Sequence, residues 1–188
     1  MFRPDLYPIL AVTNRKLCQG DFLHQIEKIA DFGVGGIILR EKDLDENAYK
    51  ALALQVLSIC EAKGVPCILH SFVEAAKELG VQRIHLSLTD FRKKAGELKG
   101  FSQVGVSVHS PKEAGEAERL GASYVTAGHI FATECKKGVL PRGLEFLEKT
   151  VSEVSIPVFA IGGITGENAQ LAMKAGAKGV CVMSGMMR

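Results

Sequence analysis

The residues of this chain that could do chemistry gather after short apolar runs rather than inside them. Arg40-Glu41-Lys42 follows the run from Gly36 to Leu39, His70-Ser71 follows Pro66 to Leu69, and His109-Ser110 follows Gln103 to Val108. The densest group is the stretch from Gly128 to Gly138, which holds His129, Thr133, Glu134, Cys135, Lys136 and Lys137. Two small-residue pairs, Gly162-Gly163 and Ser184-Gly185, follow the last two apolar runs. Bare backbone of that kind can turn several N–H donors onto one anion, so the pairs read as a phosphate site. The plainer alternative for Gly162-Gly163 is a tight turn into a helix that starts near Thr165.

Histidine starts closest to neutral pH, with an ordinary pKa of about 6.5, so the five histidines are the acid/base candidates. His24 falls in an amphipathic stretch and reads as a surface residue. His85, between Ile84 and Leu86, reads as a satisfied core histidine. His70 and His109 end apolar runs, where they could touch a substrate. The five cysteines, at 18, 60, 67, 135 and 181, are odd in number and have no CxxC spacing, so neither a disulfide frame nor a zinc site is expected. Cys67 and His70 stand three apart in a strand-like run and face opposite ways, so they cannot easily chelate one ion. Cys60, Cys67 and Cys181 are expected as small buried hydrophobes.

The elements that must position these residues repeat one unit. An amphipathic stretch ends at a Gly, and a short β-rich apolar run follows. Gly33, Gly64, Gly80, Gly121 and Gly176 punctuate the series where a helix C-terminus takes the left-handed conformation. The apolar runs are rich in Val and Ile, as parallel strands covered by helices must be. Counting Tyr7 to Val12, Gln103 to Val108 and Pro157 to Ile161, there are eight. Eight such units predict a (β/α)8 TIM barrel over residues 1–188 as one domain. An open doubly wound sheet is the rival, and it is disfavoured by the absence of a GxGxxG after the first strand. The barrel is minimal, because only five residues follow the eighth run, so the last helix must be missing or truncated. The seam at strands 1 and 8 then needs cover from a second subunit, the N-terminal segment or a remodelled helix, and a homo-oligomer is expected.

Composition narrows the function classes. The 188 residues are 47% hydrophobic and 23% charged, which suits one packed domain. Lys and Arg number 23 against 21 Asp and Glu, and a net charge of +2 supplies no field for gathering nucleic acid or an anionic membrane. No apolar run approaches the ~18 residues of a membrane span, and no signal peptide is visible, so a cytoplasmic location is expected.

Five segments carry a family resemblance. Ile38-Leu39-Arg40-Glu41-Lys42, Gly105-Val106-Ser107-Val108-His109, the Gly128 to Gly138 stretch, Ala160-Ile161-Gly162-Gly163-Ile164 and Val182-Met183-Ser184-Gly185 resemble, in order, the thiamine phosphate synthase/TenI family. The resemblance implies a (β/α)8 barrel acting on thiazole phosphates. Synthases of this family carry an Asn-Asp pair after strand 3 and a second Asp after strand 4, which hold Mg2+ and the pyrophosphate of a pyrimidine substrate. This chain has His70-Ser71 in place of the pair, with Asp90 matching the second acid. It also has His129 where synthases have Pro in a Gly-Pro-Val-Phe run, and Cys135-Lys136 where they have Thr-Lys.

Those departures resemble the TenI branch of thiazole tautomerases. The resemblance therefore implies an isomerase that aromatises a thiazole carboxylate phosphate by proton transfer. His129 would be the proton shuttle, Arg40, Lys42, Ser107, Thr133 and Lys136 would contact the substrate, and Gly162, Gly163, Ser184 and Gly185 would hold the phosphate. No metal and no cofactor is expected. Cys135 could act as a nucleophile beside His129, although a proton shift needs none. Two alternatives remain open: the Mg-dependent synthase that joins the pyrimidine pyrophosphate to the thiazole phosphate, and a non-catalytic regulator that binds either phosphate.

Overall fold

Short runs buried on both faces form the strands. β1 (Ile9–Val12), β2 (Gly36–Leu39), β3 (Cys67–His70), β4 (Arg83–Ser87), β5 (Gln103–Val108), β6 (Tyr124–Gly128), β7 (Val158–Ile161) and β8 (Gly179–Val182) pair in parallel and in chain order, and β8 closes on β1. The structure, a computed structural model, describes residues 1–133 and 138–188. Around the barrel lie α1 (Phe22–Asp31), α2 (Glu46–Ala62), α3 (Val73–Glu78), α4 (Leu88–Lys94), α5 (Pro111–Arg119), α6 (Gly143–Glu153), α7 (Ala169–Lys174) and α8 (Ser184–Met187). The expected (β/α)8 barrel is present, and its last helix is a single turn. No helix among the described residues is long and apolar enough to cross a membrane.

Local chemistry starts the helices where the sequence changes character. Asp21 and Asp45 accept from the amides of His24 and Ala48, and Ser87 and Ser110 do the same for Asp90 and Glu113. Pro111 follows Ser110 at the first position of α5, where a missing N–H costs nothing. At the other ends, Gly33, Gly64, Gly80, Gly121 and Gly176 all stand at positive φ.

Strand alternation divides the core. Odd-numbered residues such as Ile9, Ile37 and Leu39 face the helices in the larger apolar layer, whereas Leu10, Val12, Ile38, Ile68, Tyr124 and Cys181 form a smaller cluster inside the barrel, with Phe159 and Ile161 against it. Cys60, Cys67 and Cys181 are buried free thiols, as expected. Of the three covers expected for the seam, the N-terminal segment and the short last helix both contribute. Met186 and Met187 of α8 are buried, Gln25 of α1 donates to the Met186 carbonyl at 2.6 Å, and Phe2 packs over Gly185.

Candidate active site

The site is built by period-two alternation at the strand ends. Arg40 and Lys42 continue the inward parity of Ile38, and Glu41 between them points the other way. The buried Glu41 carboxylate accepts from the Thr13 hydroxyl at 2.7 Å, the Arg15 amide at 3.0 Å and the Arg15 guanidinium at 3.1 Å. The Thr13 hydroxyl in turn accepts from the Arg40 amide at 2.9 Å. This anchor holds the turn after β2 so that both cations face the cavity. Among the described residues neither forms a salt bridge. Partial desolvation, and after it the charge of Arg40, push the Lys42 ammonium below its ordinary range, while Asp90 opposes them.

The cavity has a volume of about 380 Å³ and opens at the C-terminal ends of the strands. A polar layer floors it. His85 on β4 bonds the Tyr124 hydroxyl through Nδ1 at 3.0 Å and the Ser107 hydroxyl through Nε2 at 2.8 Å, and Thr126 donates to Ser107 at 3.1 Å. The His85–Tyr124 bond passes over Gly105, the residue paired with both, and a Cβ there would overlap the tyrosine ring. Complete burial, with a smaller contribution from Lys42, pushes the His85 pKa down to about 3, so the ring is neutral. His70 is also buried, stacked on His85 at 5.6 Å, and held well below its usual range by desolvation and then by His85, Lys42 and Arg40. His109 lies at the rim and donates through Nδ1 to the Gly128 carbonyl at 3.1 Å. His24 is on the surface, as expected, beside Glu27.

Glycine lines the wall at β7. Gly162 and Gly163 stand at φ 98° and 67°, and Cβ atoms there would overlap His129 and the Ala132 carbonyl respectively. The Gly162 carbonyl accepts from the Phe131 amide, and the Gly163 carbonyl accepts from Asn168, which aims the peptide planes of this turn. Ser184 lines the same wall; Gly185 does not and instead faces Phe2. Ser107 and Thr133 also line the cavity. Lys136 and Cys135 lie outside the described residues.

His129 lines the cavity wall, and one of its ring nitrogens is bonded to the loop that follows. A carbonyl can only accept, so Nε2 donates to Val139 at 3.3 Å. Its Nδ1 is buried and has no partner.

The metal site that synthases of the resembled family carry does not fit here. No carboxylate lines the cavity among the described residues, and no group of three or more potential ligands assembles there. Glu41 is consumed by its anchor. Asp90 accepts from the Ser87 hydroxyl at 2.7 Å, inside the cap of α4. Mg2+ demands hard oxygen ligands, and a neutral imidazole at His70 is a poor substitute for a carboxylate.

A parallel barrel with cations and a glycine-lined turn at its C-terminal face defines an enzyme class that handles small anionic substrates. A family profile described as thiamine monophosphate synthase matches residues 9–186, and the chain belongs to the thiamine phosphate synthase/TenI family. It is 36% identical over 184 residues to a thiamine-phosphate synthase of Clostridium acetobutylicum, covering 96% of this chain and 87% of that one. A thiamine-phosphate synthase of Fusobacterium nucleatum is 36% identical over 182 residues, covering 95% and 88%. The solved thiamine phosphate pyrophosphorylase from Pyrococcus furiosus superposes with a TM-score of 0.82 at 26% identity, over 96% of this chain and 88% of that one.

These relatives overturn the isomerase expectation. They carry the name synthase and match this chain over most of their length, whereas the tautomerase reading rested on the His70-Ser71 and Cys135-Lys136 replacements and on His129.

Proposed function

We propose that the chain is a transferase of the thiamine-phosphate synthase type, joining a pyrimidine methyl pyrophosphate to a thiazole phosphate. The observation that carries the reading is the pair Arg40 and Lys42, free of salt bridges among the described residues, on one side of a cavity whose β7–β8 side is lined by Gly162, Gly163 and Ser184. One side suits a diphosphate and the other a phosphate monoester, so two anionic substrates can meet between them.

The chemistry asks for little more. The thiazole nitrogen attacks the methylene carbon with its lone pair, a C–N bond forms, and the C–O bond to pyrophosphate breaks. The nitrogen ends as a cationic thiazolium, so no proton has to move. What the protein must supply is stabilisation of the charge that collects on the leaving group, and Arg40 and Lys42 are placed for it. Ser107 and Thr133 offer hydroxyls to the rings, and the His85–Tyr124–Thr126 layer holds Ser107 in place. His129 serves as wall. A small phosphorylated substrate pair is the partner class.

Turnover of the two substrates by the purified protein, read as thiamine phosphate formed and pyrophosphate released in equal amounts, tests the reading. Arg40→Met and Lys42→Met are expected to lower kcat/KM by 10²-fold or more. No product at any substrate concentration, with or without Mg2+, would sink it.

A further inference from the structure

We propose that this barrel holds the diphosphate directly on Arg40 and Lys42 and needs no divalent cation to do so. The inference rests on the transferase reading for the class of anion, and it departs from the metal-dependent arrangement that the family resemblance implies.

Three observations lead to it. The first is the fate of the position after β3. Ser71 sits at φ 69° with its hydroxyl 2.7 Å from His70 Nδ1, and it is not among the cavity-lining residues. The amide of His70 donates to the Tyr49 hydroxyl at 3.0 Å, which itself donates to the Leu39 carbonyl at 2.7 Å. The pair is closed on itself and tied to the β2 backbone, and it offers no oxygen to an ion. The second is the fate of Asp90, whose carboxylate is bonded within the α4 cap. A divalent ion would therefore have no committed carboxylate in the cavity to pull it out of water.

The third is the state of the cations. In a site built around a metal, the ion bridges the carboxylates and the diphosphate. Here Arg40 and Lys42 form no salt bridge among the described residues, Asp90 acts on Lys42 only from a distance, and the Glu41 anchor holds both cations toward the cavity. The planar guanidinium matches two phosphoryl oxygens at once, and the ammonium adds a point charge beside it. Desolvation and, after it, the charge of Arg40 weigh against the Lys42 ammonium, and an anion bound between the two cations offsets that repulsion.

Calorimetric titration of the purified protein with inorganic pyrophosphate, in EDTA and again in excess Mg2+ corrected for the heat of Mg–pyrophosphate formation, tests the inference apart from activity. The Kd in EDTA should lie within threefold of the Kd in Mg2+, and Arg40→Met and Lys42→Met should each weaken binding tenfold or more. A variant carrying His70→Asn together with Ser71→Asp should acquire at least a tenfold tightening by Mg2+; if that variant does not fold, the wild-type comparison decides alone. Binding that vanishes on chelation and returns with Mg2+, the absence of pyrophosphate binding in either condition, or wild-type affinity in both methionine variants would overturn the proposal. Metal-free pyrophosphate binding without turnover would remove the transferase reading and leave this one standing. Turnover with Mg2+-dependent binding would do the reverse.

Discussion

His85 has both ring nitrogens on hydroxyls and no access to water, and His70 is nearly as enclosed. Each stays neutral in the folded chain at pH values where the unfolded chain takes up a proton, because burial lowers the folded pKa, to about 3 for His85 and well below the ordinary value for His70. With the folded pKa depressed, the unfolded state binds more protons between the two values. The stabilisation from neutral burial is thus fully present above about pH 6.5 and is lost as pH falls toward the folded pKa values. For two such groups, linkage predicts a loss of about 2 kcal/mol between pH 6.5 and 5.5, a range above the ordinary carboxylate pKa values. Urea unfolding at pH 7.5, 6.5 and 5.5 measures it. A flat profile from 7.5 to 5.5 would mean that these imidazoles are solvated and charged in the native state.

The turn after β7 shows how an element depends on one residue type. Gly163 takes φ 67°, and a Cβ there would run into the main chain of Phe131 and Ala132, so both backbone conformation and close approach exclude a side chain. Gly163→Ala is expected to cost ~1–3 kcal/mol in stability and to weaken binding of the monophosphate substrate, because the turn must shift away from the β6 loop. Gly20 is the control: nothing lies within 4 Å of its Cβ position and its φ is not in the left-handed range, so Gly20→Ala should stay within about ±0.5 kcal/mol. Equal effects from the two substitutions, read by denaturant midpoint, would show that the turn is not the constraint.

At the scale of the molecule, closing a barrel with a one-turn last helix requires cover from outside the repeat. The cover comes from both ends of the chain: Phe2, ahead of β1, packs over Gly185, and Met186 and Met187 of α8 are buried beside α1. Phe2 is only half-buried, so Phe2→Ala should remove about 1–2 kcal/mol rather than the full value for a core phenylalanine. For a chain of this length that lowers Tm by roughly 3–6 °C in calorimetry. An unchanged Tm would mean that the N-terminal segment adds nothing to the seam.

The repeat of amphipathic stretch, glycine and apolar run was legible because it is local: helix caps, left-handed C-termini and two-sided burial each leave a mark within a few residues. The barrel, the placement of Arg40, Lys42 and Gly163 at its C-terminal face, and the buried cysteines all follow from that periodicity, whereas Ser107 was marked by the family resemblance. The His85–Tyr124–Ser107–Thr126 layer was also within reach, since Ser107 and Thr126 share inward parity on neighbouring strands; only their register, Ser107 opposite Thr126, had to come from the fold. Other properties depend on contacts between residues far apart in the chain, which no spacing rule encodes. The outward parity of Glu41 is local, but its partners Thr13 and Arg15 bind it from 28 and 26 residues away. His129 reaches the cavity wall with Nε2 on the Val139 carbonyl and Nδ1 buried without a partner, an environment its sequence neighbours do not announce. The seam is closed by Phe2 across the full length of the chain, a contact that exists only once the barrel has brought β8 back beside β1.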